Sequence, residues 1–231
     1  MIFIETPANP TNALIDIEMC KSIADLYSSL DQKVYLAVDN TYMGPLWQHP
    51  LDHGADFALY SATKYIGGHS DVIAGACCGS NEVISRVKVL RTFLGNMAAP
   101  QTGWLLMRSL ETLKIRMEQQ ASNAQKVAEY LDRHEKVEKV YYLGLIKEST
   151  EAYRIYHNQY DSPGAMLSFD IKGGEKEAFK FIDSLKLIKL AVSLGGTESL
   201  VEHPDTMTHA GVDPKHRKEL SITEKLIRIS I

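Results

Sequence analysis

The first third of the chain alternates short β-rich runs with helical stretches, and this alternation restricts its possible folds more than any other feature. The β-rich runs are IFIE at 2–5, VYLAVDN at 34–40, DFALYSATK at 56–64 and DVIAGACCG at 71–79. A helical pattern at 16–30 separates the first two runs. Strands that alternate with helices are typical of a parallel sheet with helices on its faces, so the sequence predicts an α/β fold.

Two segments have apolar residues at helical spacing. Residues 16–30 place five side chains on one stripe that would face such a sheet: Ile17, Cys20, Ile23, Ala24 and Tyr27. Residues 102–133 continue an apolar pattern over about 30 positions. We therefore expect one long helix there, linking two domains.

The C-terminal part has a mixed pattern. Strand-like runs occur at 136–144, 165–171, 187–196 and 226–231, and a helix is expected over 175–184. This mixture predicts a small α+β domain. With the division placed near residue 115, the two predicted domains are 1–115 and 116–231.

Composition excludes several classes of function. The formal net charge is −4, and both signs are mixed along the chain, so no basic stripe favours nucleic acid or an anionic membrane. No apolar run approaches the roughly 20 residues of a membrane span, and the opening MIFIETPANP lacks signal-peptide character. Neither the three cysteines nor the His49 and His53 pair predicts a disulfide framework or a metal site. We expect a cytoplasmic protein without a metal.

Polar residues end three of the predicted strands. Asn9 follows the first run, Asp39 ends the second, and Ser61, Thr63 and Lys64 end the third. In open parallel sheets, ligands bind at the carboxyl ends of the strands. A lysine, a carboxylate and small hydroxyls at one edge form the set that a pyridoxal phosphate (PLP) site requires. The same pattern also suits an ordinary α/β domain with a polar rim, so the pattern alone leaves both readings open.

Each of these residues has a separate chemical reason to serve PLP. Lys64 must present a free amine to the cofactor aldehyde, so its pKa must fall through burial or nearby positive charge. A carboxylate at Asp39 would keep the pyridine nitrogen protonated, and hydroxyls at Ser61 and Thr63 would donate to a phosphate.

Several motifs, taken in order, resemble the Cys/Met-metabolism PLP enzymes, which include cystathionine γ-lyase, cystathionine γ-synthase and methionine γ-lyase. They are ETPANPTN, VDNTY, GADFALYSATKYIGGHSD, VIAG, LLMRSLETLKIRM, AVSLGGTESLVEHPDTMTHA and IRIS. The resemblance covers residue 3 to the end. It implies an aspartate-aminotransferase-like (fold type I) large domain, incomplete here, followed by a small α+β C-terminal domain.

The resemblance also implies roles for individual residues. Lys64 would be the Schiff-base lysine and the catalytic acid and base, Asp39 would pair with the pyridine nitrogen, and Ser61 and Thr63 would bind the phosphate. Asn9 would donate a hydrogen bond to the phenolic oxygen of the cofactor.

At the substrate end, the resemblance assigns Arg228 to a bidentate contact with the α-carboxylate. Ser193 and Thr208 would support that end of the site. Where cystathionine-handling members often have an acidic residue before the serine of SLGG, this chain has Val192. An apolar side chain there suits a thioether methyl, which resembles methionine γ-lyase.

The predicted function is therefore PLP-dependent γ-elimination on a sulfur amino acid, most closely methionine to methanethiol, 2-oxobutyrate and ammonia. The alternatives are cystathionine γ-lyase, cystathionine γ-synthase or a homoserine-ester sulfhydrylase, and, in another class, a noncatalytic remnant that acts as an assembly module. Family members are longer, and their N-terminal third adds phosphate-binding residues. We therefore expect a homo-oligomer, the family's tetramer built from dimers, or dependence on a missing N-terminal segment.

Overall fold

The computed structural model describes residues 1–231 and contains nine strands, eight α-helices and one short 3-10 helix. In chain order the elements are β1 (Ile2–Glu5), α1 (Ile17–Leu26), β2 (Leu36–Asp39), α2 (Gly44–Trp47), β3 (Phe57–Ser61), β4 (Gly75–Gly79), α3 (Asn81–Leu94), α4 (Pro100–Leu110), α5 (Leu113–Asp132), β5 (Val137–Tyr141), the 3-10 helix (Leu143–Leu145), α6 (Glu151–Gln159), β6 (Met166–Ile171), α7 (Glu175–Ser184), β7 (Lys189–Leu190), β8 (Leu200–Glu202), α8 (Pro214–Glu219) and β9 (Leu226–Ser230). No helix is both long enough and apolar enough to cross a bilayer.

The first sheet has the strand order β1-β2-β3-β4. Its first three strands are parallel, as the alternating pattern predicts, and the pairing of Glu5 with Asp39 brings two strand ends to the same edge. β4 instead runs antiparallel to β3. A parallel return needs a crossover, usually a helix. The connection between β3 and β4 contains turns and no helix, so the prediction of an all-parallel sheet was wrong for this strand.

Helix α1 packs a narrower face than its sequence pattern predicts. Ile17 and Ala24 are fully buried, and Ile17 belongs to a small core with apolar residues of β1 and β2. Ile23 and Tyr27 from the predicted stripe are exposed, and the helix ends at Leu26. The helix covers only the part of the sheet that its first two turns reach.

The long helix expected over 102–133 is two helices, α4 and α5, because the chain leaves helical geometry at Thr112 (φ −108°, ψ 2°). The Thr112 hydroxyl donates to the carbonyl of Ser109 at 3.3 Å, and Arg116 Nη2 donates to the same carbonyl at 3.1 Å. Such side-chain bonds to the backbone offer an alternative to the helical ladder, which explains the break.

The second sheet has the strand order β5-β6-β9-β8-β7, with antiparallel pairs except for β7 and β8. The expected helix over 175–184 is α7. The run at 187–196 forms only a two-residue strand, and β8 was not predicted from sequence. After β7 the backbone carbonyls of Val192 and Ser193 accept from an arginine side chain instead of from a neighbouring strand.

The main core packs the second sheet and α5 against residues that follow strands of the first sheet, whereas the apolar side chains of β1 and β2 belong to the separate small core. The 25 buried residues of the main core include Tyr42 and Tyr65 near the first sheet, Met117 on α5, and Phe169 and Ile227 in the second sheet. All strands of the first sheet precede residue 115 and all strands of the second follow it, while the core is continuous across that point. The division into domains 1–115 and 116–231 stays a prediction.

Candidate active site

Lys64 lies in the turn that follows β3, at the carboxyl edge of the first sheet. Its Nζ donates to Ser193 Oγ at 3.3 Å. Burial and then the positive charge of Arg228 lower the pKa of Lys64, while the negative charge of Glu202 acts in the opposite direction. Both causes that the sequence reasoning required, burial and nearby positive charge, are present, so a larger share of this lysine is the free amine than of an exposed one.

Asp39 ends β2 on the same edge of the sheet. Its Oδ1 accepts from the backbone N–H of Thr41 at 3.0 Å, which fixes the carboxylate at the strand end. Asp39 and Ser61 both line an open cavity of about 870 Å³, whose other walls come from β4 and α3. A carboxylate and a hydroxyl therefore face one space large enough for a small ligand.

Asn9 lies in the loop after β1 and is held from three directions. Its backbone N–H donates to Glu5 Oε1 at 3.1 Å. Its side-chain Oδ1 accepts from Tyr42 Oη and from Arg228 Nη1, the latter at 3.1 Å. Because arginine only donates, the oxygen of the amide must face Arg228. The amide nitrogen of Asn9 is thus left as a donor on the other side.

The two hydroxyl residues beside Lys64 have different surroundings. Ser61 is the last residue of β3, and its backbone N–H donates to Thr41 Oγ1 at 2.8 Å. The Thr63 hydroxyl donates to the carbonyl of Ala74 at 3.3 Å and accepts from the N–H of the same residue at 3.0 Å. Ser61 therefore has the freer hydroxyl, and Thr63 links the lysine turn to the segment before β4.

Arg228 lies on β9 with its side chain 2% exposed. Nη1 forms an ion pair with Glu202 Oε1 at 2.7 Å and also donates to Asn9, while Nη2 donates to the carbonyls of Val192 and Ser193, both at 3.0 Å. Arg228 Nε is buried without a partner. The guanidinium is thus held on both Nη atoms. A bidentate contact with a substrate carboxylate requires it to share or release at least one of these bonds.

The remaining predicted residues surround Arg228. The Thr208 hydroxyl donates to Glu202 Oε1 at 3.0 Å, so Thr208 reaches Arg228 through Glu202. The carbonyls of Val192 and Ser193 bind Arg228 directly, and the Val192 side chain is 52% exposed. The structure therefore gathers Lys64, Ser193, Asn9, Arg228 and Thr208 into one network of contacts, with Asp39 and Ser61 at the adjoining sheet edge.

Sequence reasoning missed two members of this network, Tyr42 and Glu202. Tyr42 stands in VDNTY three residues after Asp39, and that spacing was an available signal for a side chain directed at the same site. Glu202 lies in ESLVEHP on the unpredicted strand β8, and only the pairing of Glu202 with Arg228 reveals its position. No group of three or more His, Cys, Asp or Glu side chains is arranged to hold a metal ion.

A family model described as "Cys/Met metabolism PLP-dependent enzyme" matches residues 1–231. The chain belongs to this family. The resemblance read from the motifs is thereby confirmed, and the cofactor of the family is PLP.

Curated relatives carry several enzyme names at similar identity. L-methionine gamma-lyase of Porphyromonas gingivalis is 42% identical over 233 residues, covering 100% of this chain and 57% of the relative. Cystathionine beta-lyase of Lactococcus lactis subsp. cremoris is 42% identical over 231 residues, covering 100% of this chain and 59% of the relative. The chain thus spans less than two thirds of the length of these relatives.

Solved structures confirm the predicted fold class. Cystathionine gamma synthase from Xanthomonas oryzae pv. oryzae, in complex with cystathionine, matches with a TM-score of 0.91 and 38% identity, covering 99% of this chain and 58% of that one. Cystathionine gamma-lyase from Lactobacillus plantarum, complexed with L-serine, matches with a TM-score of 0.90 and 36% identity, covering 100% and 58%. The chain has the corresponding part of this PLP-dependent fold.

Proposed function

We propose that this chain contributes the lysine-bearing part of a PLP-dependent enzyme that cleaves a sulfur amino acid by γ-elimination, with methionine as the preferred substrate. The observation that carries the proposal is the environment of Lys64. Its amine is half-buried, has a lowered pKa, and lies in the same network as an arginine suited to an amino-acid carboxylate. The L-methionine gamma-lyase relatives support the choice of reaction.

The donor and acceptor groups present fit PLP. Lys64 offers an amine for the aldehyde, and Asp39 offers a carboxylate for the pyridine N–H. Asn9 offers its remaining amide N–H to the phenolic oxygen, since both of its Oδ1 contacts are with donors of the protein. Ser61 offers its hydroxyl to the phosphate, and we propose that Thr63 joins it by exchanging its bond to Ala74.

At the substrate end, we propose that Arg228 recognises the α-carboxylate. Its buried Nε–H has no partner, so a carboxylate oxygen placed there satisfies a donor that is otherwise unpaired. The second oxygen then shares Nη1 or Nη2 with the present acceptors. Ser193 holds Lys64 at 3.3 Å and joins the lysine to this carboxylate end, and Thr208 supports Arg228 through Glu202.

In the proposed mechanism PLP supplies an electron sink for the charge that develops at the substrate Cα. The amine of Lys64 would hold the cofactor, and as a free amine it would remove the proton at the substrate Cα and redeliver protons along the substrate. Because its pKa is lowered, a larger share of the amine is free to accept that proton than in an exposed lysine. Arg228 would orient the substrate through its carboxylate, and Asp39 would favour the protonated form of the cofactor's ring nitrogen.

The preference for methionine rests on Val192. Its side chain is half-exposed, while its backbone carbonyl is fixed by Arg228 at 3.0 Å. An apolar side chain at this place favours a thioether methyl over the distal ammonium group of cystathionine. The second candidate is cleavage or synthesis of cystathionine, and the cystathionine beta-lyase relative at 42% identity favours it. A homoserine-ester sulfhydrylase and a noncatalytic assembly module remain further alternatives.

We also propose a cytoplasmic location, a homo-oligomer such as the family's tetramer of paired dimers, and the division into domains 1–115 and 116–231. The oligomer is supported by exposed apolar side chains on α3 and α4.

A PLP titration of the purified chain tests the proposal. We expect visible absorbance that saturates with PLP, and loss of that saturation in Lys64→Ala. Lys114→Ala is the matched control, because it removes an exposed lysine of α5 that does not belong to the site. Saturation in the control and not in Lys64→Ala supports Lys64 as the cofactor lysine. No response in the folded parent chain favours the noncatalytic module.

Product analysis then separates the substrate candidates. Methanethiol and 2-oxobutyrate released from methionine support γ-elimination on methionine. Homocysteine or cysteine released from cystathionine, with no turnover of methionine, supports the second candidate. Both assays use the same PLP-loaded chain, so a difference between substrates does not reflect a difference in cofactor loading.

A further inference from the structure

The ion pair of Glu202 and Arg228 is buried beneath the proposed substrate-binding end of the site. Glu202 is 0% exposed and Arg228 is 2% exposed, and the two residues face each other in the register of β8 and β9. The carboxylate receives Arg228 Nη1 at 2.7 Å and the Thr208 hydroxyl at 3.0 Å, both on Oε1. Its other oxygen, Oε2, is buried without a partner.

Such an arrangement is costly if its only purpose is stability. Replacing a buried ion pair by apolar residues is often neutral or stabilising, because the desolvation of two charges offsets their attraction. Here the pair also leaves two buried polar atoms unsatisfied, Arg228 Nε and Glu202 Oε2. A reason other than stability is therefore needed for an acid at position 202.

Lys64 provides that reason. Ser193 joins the arginine to the lysine. Its backbone carbonyl accepts from Arg228, and its hydroxyl accepts from Lys64. An unpaired guanidinium at this place acts on the lysine amine as a positive charge in a poorly solvated site. The negative charge of the Glu202 carboxylate, which is paired with this guanidinium, offsets its positive charge.

We propose that Glu202 is a positioning residue that holds the guanidinium of Arg228 between Asn9 and the Val192–Ser193 carbonyls and offsets its charge at Lys64. The inference rests on the proposed function only in taking Lys64 as the working lysine. Glu202 keeps Arg228 available as a donor to a carboxylate, and it limits how strongly the arginine repels a proton from Lys64. Thr208 supports this role, because its hydroxyl donates to Glu202 Oε1 and so orients the carboxylate.

Other titratable groups also surround this pair. Those whose pKa values respond to Arg228 are all uncharged or only partly charged near neutral pH: Tyr42, Tyr65 and His209. On the side of the first sheet, the acidic groups are Glu5 and Asp39. Only Arg228 and Glu202 act on the pKa of Lys64 through charge, so the sign of a change at Glu202 is unambiguous.

The test measures the protonation of Lys64 in the chain without cofactor, by competitive acylation across a pH series with quantification of the Lys64 peptide. Glu202→Gln keeps the shape and removes the charge. We expect this variant to lower the pH midpoint for acylation of Lys64 by about half a pH unit to one pH unit. The reason is that no carboxylate then offsets the positive charge of Arg228. Glu138→Gln, which removes a distant surface carboxylate, should leave the midpoint unchanged.

A second comparison guards against misfolding of Glu202→Gln. In an Arg228→Gln background, adding Glu202→Gln creates two facing amides with no buried unpaired charge. We expect the double variant to have a higher Lys64 midpoint than Glu202→Gln alone, because the unbalanced positive charge of Arg228 is removed. Equal midpoints in both comparisons overturn the proposal. Because no PLP is present in this experiment, its failure is separable from a failure of the cofactor titration.

Discussion

At the scale of single residues, hydrogen bonds within the protein fix the orientation of side chains in the site. Asn9 is the clearest case, since Tyr42 and Arg228 both donate to its Oδ1 and so determine which end of the amide faces the cofactor edge. Burial raises the pKa of Tyr42 far above its usual range, so its hydroxyl keeps its proton and remains a donor. The orientation of Asn9 is therefore built into the fold before any ligand binds.

Removing the Tyr42 hydroxyl tests this orientation. Tyr42→Phe leaves Asn9 with one fixed donor, so the amide can rotate away from the cofactor. We expect PLP affinity to fall roughly 2- to 10-fold and the free energy of unfolding to fall by about 0.5–1.5 kcal/mol. Titration with PLP and urea unfolding measure the two effects. Tyr130→Phe, on an exposed position of α5, is the control, and equal PLP affinity in both variants contradicts the assignment.

Val192 carries the prediction on specificity. Its backbone is held by Arg228, so a larger side chain there extends from a fixed point beside the substrate-binding end. Val192→Glu should raise the preference for cystathionine over methionine by roughly 10-fold, because a carboxylate attracts the distal ammonium group. Competition between the two substrates in one reaction measures the ratio. Val192→Gln has nearly the same size without the charge, and an equal shift in that variant argues against charge as the cause.

At the scale of elements, side-chain contacts join elements that are far apart in the sequence. Asp16 makes one of these contacts. It caps α1 by accepting from the backbone N–H of Met19 at 3.0 Å, and it also pairs with Arg154 of α6. Burial raises the pKa of Asp16, but the Met19 N–H and Arg154 outweigh it, so the net shift is downward from 3.8.

The lowered pKa of Asp16 has a definite sign for stability. The unfolded chain binds this proton more readily than the folded one, so the contribution of Asp16 is present above pH 3.8 and is lost as pH falls through the lower folded pKa. We expect Asp16→Ala to lower the free energy of unfolding at pH 7 by about 1–2 kcal/mol, with a smaller difference at pH 3. Urea unfolding at both pH values measures this. Asp25→Ala removes an exposed carboxylate of the same helix, and a cost as large as that of Asp16→Ala contradicts the capping role.

The elements that were predicted correctly are those determined by local pattern. The strand runs ending at Asp39 and Ser61 and the helix Glu175–Ser184 have periodicities that need no partner to interpret. The direction of β4 and the strand β8 depend instead on pairing, and the break at Thr112 depends on contacts of its side chain with Ser109 and Arg116. The spacing of apolar residues along the sequence does not contain information on strand pairing or on these side-chain contacts.

The same distinction applies to the site. Lys64, Asp39 and Asn9 could be found because strand ends in a parallel sheet meet at one edge. Arg228 and Ser193 lie far away in sequence and were assigned through family motifs alone. Glu202 was missed because its role follows from facing Arg228 across β8 and β9, and an isolated acid before a histidine and a proline has no distinguishing pattern.

At the scale of the whole molecule, the most conspicuous surface is apolar. Eight large side chains on α3, α4 and their connection are at least 47% exposed, and we call this set the α3–α4 face: Val89, Leu90, Phe93, Leu94, Met97, Trp104, Met107 and Leu110. So many large apolar side chains exposed on two consecutive helices favour an interaction site over a solvated exterior. We propose that a second copy of the chain covers this face, in line with the proposed homo-oligomer.

This interface gives the prediction for the whole molecule. In sedimentation at micromolar concentration, the parent chain should have at least twice the monomer mass, because burying the α3–α4 face removes several exposed aromatic and aliphatic side chains from water. The double variant Phe93→Asp, Met107→Asp should shift to the monomer mass, since two buried carboxylates without partners oppose association. Leu30→Asp changes an equally exposed leucine outside the face and should retain the parent mass. A monomeric parent across the concentration range contradicts the interface. An assembly that persists in the double variant places the contact elsewhere on the surface, where the exposed ends of the sheets are the next candidates.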